Sequence, residues 1–78
     1  MEELKQETEK WLDKIKEKRK SIALMDNSKK DMIKNIDAYI SDTSHFLEKK
    51  DYIRAFEAVV WAWSWIEILE ELEIIKSE

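Results

Sequence analysis

The chain has 78 residues, 41% of them Asp, Glu, Lys or Arg, and carries a net charge of −4 at neutral pH. It contains no glycine, no proline and no cysteine. This excludes disulfide frameworks, thiolate metal sites and thiol nucleophiles, and it removes the residue on which phosphate-cradling loops and nucleophile elbows depend.

The opening "MEELKQETEK" is charged throughout, so no secretory leader is expected. The longest apolar run, Ala58 to Trp63, is far short of the roughly 20 residues of a membrane span. The expectation is one soluble, cytoplasmic domain over residues 1–78, a setting that the lack of cysteine fits. From about Glu2 to Leu24, Leu4, Trp11, Leu12, Ile15, Ile22 and Met25 recur at helical spacing and predict a first helix. "MDNSKKD" breaks the pattern, with Asn27 or Ser28 placed to cap a second helix over about 29–49. Its stripe is Met32, Ile33, Ile36, Tyr39, Ile40, Thr43, Phe46 and Leu47. "EKKD" makes the next turn, and Asp51 caps a third helix over about 52–76. Short turns make consecutive helices antiparallel neighbours, so the predicted fold is all-α, an up-down-up three-helix bundle.

The third helix holds the most unusual stretch, "VVWAWSWIEIL". At about 100° per residue, alternating tryptophans cannot share a helix face. Trp63 falls with Tyr52, Ala55, Phe56, Val59, Ala62, Ile66 and Leu69 on the stripe expected to form the core. Trp61 and Trp65 project elsewhere, and Ile68, Leu72 and Ile75 continue their line. Two readings of this second stripe stand side by side. One is a wide buried face with Trp65 and Leu72 at its edges and Trp61 half-exposed. The other is a self-association or partner surface built on Trp61, Trp65, Ile68 and Leu72, consistent with the enrichment of Trp at interfaces.

Charge is unevenly spread. Residues 14–34 carry eight basic groups (Lys14, Lys16, Lys18, Arg19, Lys20, Lys29, Lys30 and Lys34) against three acids. Residues 67–78 carry five acids against Lys76. In an up-down-up bundle both segments share one pole, so the acidic segment is expected to offset the basic one and weaken any phosphate-binding surface. "DTSH" places Asp42 and His45 at a spacing used by helical carboxylate metal sites, but His45 points away from the stripe and no second histidine exists. No catalytic base beside a nucleophile can be assembled, so no enzyme activity, cofactor or metal is expected.

"YISDTSHFLEKKDYIRAFEAVVWAWSWIEI" resembles the signature of a small archaeal family classed as a domain of unknown function. The likeness rests on Tyr39, Asp42, Phe46, Leu47, Glu48, Lys49, Asp51, Tyr52, Arg54, Ala55, Phe56, Trp61, Ala62, Trp65, Ile66 and Glu67, over the second and third helices. Lys50 departs from it, standing where a turn glycine is usual, which implies a left-handed lysine. Trp63 and Ser64 stand where many members have His-Gly. The resemblance implies a compact helical fold and brings no functional residues. "KKDYIRAFEAV" also has a local likeness to tetratricopeptide hairpins, although one hairpin is no repeat array.

The functional expectation is a module acting by protein–protein contact, as a homodimer or with another protein. The alternatives are a nucleic-acid-associated factor using Lys14 to Lys34, and a helical small-molecule carrier with a cavity beside Trp63.

Overall fold

Three helices, α1 (Glu2–Lys20), α2 (Lys30–Glu48) and α3 (Tyr52–Glu71), form the protein in a computed structural model that describes residues 1–77. Two short strands, β1 (Ile22–Leu24) and β2 (Ile75–Ser77), follow α1 and α3. Side-chain pairings give the helix directions. Trp11 bonds to Trp63 and Lys18 to Glu70, both across 52 residues, so α1 and α3 run parallel. Tyr39 stacks on Trp61, while Phe46 shares a groove with Arg54, so α2 runs the other way. The result is an up-down-up bundle of 39 × 19 × 17 Å.

The core is narrow. Leu12 and Ile15 of α1 and Ile36 of α2 meet Val59, Ala62, Ile66 and Leu69 of α3, and Ile75 of β2 closes one end. Thr8 and Thr43 are also buried, but their hydroxyls donate to the carbonyls of Leu4 (2.7 Å) and Tyr39 (2.8 Å). No polar hydrogen is stranded by their burial.

Two of the three expected helices are too long. The first ends at Lys20 instead of near Leu24, because the N–H and Oγ–H of Ser21 both donate to the carbonyl of Lys18. The third ends at Glu71 instead of near Lys76. In each case the apolar residues beyond the helix enter a strand. β1 and β2 pair antiparallel with Ala23 opposite Lys76, and Met25 N–H extends the ladder to Ile74 O at 2.8 Å. The cap before α2 is also different from the expectation. Asp26, rather than Asn27 or Ser28, accepts from both the N–H and Oγ–H of Ser28 and opens a single 3-10 turn, Asn27–Lys29. These two bonds hold the Asp26 carboxyl below its ordinary pKa. Asp51 caps α3 as expected, accepting from Arg54 N–H at 3.2 Å.

The exits of α2 and α3 use the same device. Lys50 (φ 60°) and Glu73 (φ 59°) adopt left-handed conformations. After α2, Asp51 N–H bonds to Phe46 O and Lys50 N–H to Leu47 O. After α3, Ile74 N–H bonds to Leu69 O and Glu73 N–H to Glu70 O. These are paired Schellman motifs, each with a side chain where glycine is normal. The turn at Glu73 sends the chain back along the bundle end, which is why β2 runs antiparallel to β1.

Lys50→Gly and Glu73→Gly are each expected to raise unfolding free energy by about 0.5–1 kcal/mol, read as a higher urea midpoint at unchanged m-value. Ile75 is 2% exposed, and Ile75→Ala should lower stability by about 2–5 kcal/mol in the same assay.

Candidate functional site

Helix α3 is covered on one face and carries large apolar side chains on both flanks of that face. Ala55, Ala58, Val59, Ala62, Ile66 and Leu69 are buried against the other elements. On the flank toward α2, Trp61 is 55% exposed, Ile68 48% and Leu72 62%, while Trp65 is half-buried against the core. The second stripe is therefore a real surface of the chain, running from mid-helix to the C-cap at Leu72. Trp61 is not loose. Its ring stacks on Tyr39 with centroids 6.4 Å apart and planes 19° apart. Between them, Asp42, Phe46, Arg54 and Glu57 complete a shallow groove of about 230 Å³.

The opposite flank, toward α1, forms a larger groove of about 410 Å³, lined by Trp11, Phe56, Val60, Trp63, Ser64 and Glu67 around Val59. Trp63, expected in the core, is only half-buried here and forms a wall of this groove. It meets Trp11 edge to face, with centroids 5.9 Å apart and planes at 81°, and its Nε1–H donates to the Trp11 carbonyl at 3.3 Å. The cavity that a carrier would need beside Trp63 thus exists at the surface. Trp11 belongs to the predicted stripe of the first helix but sits about 100° from Leu12, which puts it on the rim. That offset is the signal by which sequence reasoning could have found the groove.

Four of the eight basic residues of the segment, Lys18, Arg19, Lys20 and Lys34, pair with acids. Lys18 pairs with Glu70 at 3.3 Å, as the shared pole of α1 and α3 requires. Arg19 holds Asp37 with two bonds, Nε to Oδ1 at 2.6 Å and Nη2 to Oδ2 at 3.1 Å. That hydrogen bonding raises the Arg19 pKa above an already high value. Lys20 pairs with Glu17 and Lys34 with Asp31, and Lys14 Nζ lies 5.0 Å from the centre of the Trp11 ring. Glu78, the last acid of the acidic segment, lies outside the described residues. His45 is exposed and edge-on to Phe46, while Asp42 faces the α2–α3 groove. Among the described residues, no group of three or more His, Cys, Asp or Glu is placed to hold a metal ion. Nor is any helix among them long and apolar enough to cross a membrane.

The family described as "Protein of unknown function (DUF357)" matches residues 5–75. The chain belongs to the DUF357 family. The crystal structure of protein AF1782 from Archaeoglobus fulgidus, assigned to DUF357, is similar to it at 49% identity and a TM-score of 0.88, covering 99% of this chain and 96% of that one. The comparison with curated proteins gives no match. The resemblance to an archaeal family of unknown function read from the sequence is thereby shown, and with it the compact helical fold. Five of the residues that carried it, Tyr39, Asp42, Phe46, Arg54 and Trp61, come together in the α2–α3 groove.

The Arg19–Asp37 bridge is partly solvated, so Arg19→Lys should lower stability by no more than about 1 kcal/mol. Denaturant midpoints of this variant at low and high salt check that limit.

Proposed function

We propose that the protein is a non-enzymatic, cytoplasmic interaction module whose partner is a second copy of itself, joined through the α2-side flank of α3. The observation that carries this reading is the line of Trp61, Ile68 and Leu72, each about half or more exposed, with Trp65 between them. Continuous exposed apolar lines are uncommon on small monomers, and tryptophan is the residue most enriched at interface hot spots. A bundle with so thin a core gains from added apolar burial, at roughly 25 cal/mol per Å².

The pairing of Lys18, Arg19, Lys20 and Lys34 with acids disfavours the nucleic-acid alternative, since phosphate binding draws on uncompensated cations. The reading as a non-enzyme is supported by the Ser64 hydroxyl of the α1–α3 groove, which donates to the Val60 carbonyl and not to Glu67.

Light scattering and sedimentation equilibrium at micromolar concentration test the reading. The wild-type chain is expected as a dimer, with Trp61→Ala and Leu72→Glu each weakening dimerisation by roughly tenfold or more. A monomer at every concentration, with Trp61→Ala leaving thermal stability unchanged, would overturn it.

A further inference from the structure

The groove between α1 and α3 lies on the other flank of α3 from the proposed dimer surface, and its chemistry is unusually one-sided. Its aromatic walls are Trp11, Trp63 and Phe56. Every side-chain N–H and O–H that lines it is already engaged elsewhere. Trp11 Nε1–H donates to Glu7 Oε1 at 2.9 Å, Trp63 Nε1–H to the Trp11 carbonyl, and Ser64 Oγ–H to the Val60 carbonyl at 2.8 Å. These bonds also fix both indole rings, so the groove is pre-formed. What remains for a ligand is π-surface, apolar Val59 and Val60, and one carboxylate, Glu67, the only ionisable residue of the lining.

Such a lining rejects anions, which would meet a carboxylate and no donor. It also serves a primary ammonium poorly, because three N–H groups would find one acceptor. A fully methylated ammonium has no N–H to satisfy, presents an apolar surface to Phe56 and Val60, and is attracted by indole faces and by Glu67. Lys14 Nζ already lies over the Trp11 ring, so a ligand in the groove draws chiefly on the aromatic surface of Trp63 and Phe56 beside Glu67. A volume of about 410 Å³ suits a small molecule.

We infer that the Trp11–Trp63 groove is a binding site for a small quaternary-ammonium compound, held by the aromatic surface of Trp63 and Phe56 and by the carboxylate of Glu67.

The test uses the full chain and choline as the probe, with 3,3-dimethylbutan-1-ol as its neutral isostere. The indole Nε1–H resonances of the four tryptophans are followed by NMR during titration. Choline is expected to shift Trp11 and Trp63 saturably while Trp61 and Trp65 stay fixed, and the neutral isostere is expected to bind roughly tenfold more weakly. Trp63→Leu and Glu67→Gln should each weaken choline binding several-fold. Glu67 is exposed, so its substitution keeps the test usable if Trp63→Leu unfolds. Trp61→Ala should leave binding intact even where it abolishes the dimer, so failure of one reading is distinguishable from failure of the other. Equal binding of the isostere, no saturable shift, unchanged binding by Glu67→Gln, or shifts confined to Trp61 and Trp65 would overturn the inference.

Discussion

Ala55, Ala58 and Ala62 put only methyl groups at three of the six buried positions of α3, on the face that the other helices close upon. The seam they make is filled by Val59, Ile66 and Leu69 with Leu12, Ile15 and Ile36. A close helix approach leaves no room at the centre for indole rings. The large aromatics are therefore displaced to the rims, Trp61 and Tyr39 on one side, Trp11 and Trp63 on the other. Both surface grooves follow from this arrangement of small residues within and large residues outside. α3 is accordingly the helix from which every candidate site in the molecule is built.

The sequence made the helix count and the antiparallel order legible, because the apolar stripes of α1 and α2 are regular and Asp51 is a strong cap. Its residues from Tyr39 to Glu67 carried the resemblance to an archaeal family of unknown function. Helix ends were much harder to read. A chain without glycine or proline lacks the two residues that usually mark a stop. Ile22, Met25 and Ile75 also continue the helical spacing past the true ends, while their backbones have left the helix. Ser21 is the only local sign of the first stop. The second depends on Glu73 adopting a conformation that its side chain does not favour. The left-handed Lys50, by contrast, could be inferred because a glycine was expected at that position.

The candidate surfaces were half legible. The helical wheel separated Trp61 and Trp65 from Trp63, and the exposures of Trp61, Ile68 and Leu72 agree with a stripe distinct from the core. It assigned Trp63 to the core because a wheel gives direction and not depth. A side chain some 40° off the Val59 direction meets whatever the neighbouring helix offers, and here α1 offers Trp11, too wide to let both rings sink. The charge expectation depended only on topology, and Lys18 with Glu70 realises it directly.

The β1–β2 ribbon joins residues 22–24 to residues 75–77. A contact between such distant segments has to wait for the whole intervening chain, and the α1–α3 pairings across 52 residues share that delay. The α2–α3 hairpin and the Arg19–Asp37 contact of α1 with α2 join closer neighbours in sequence. During synthesis α1 can meet α2 through Ile36 and Asp37, but most of the seam it packs into comes only with α3. The apolar face of α1, Leu12 and Ile15 included, stays largely uncovered until α3 has been made. The dense charge on the rest of α1 can then be understood as protection for that interval, keeping an unpartnered helix in solution until its partner exists.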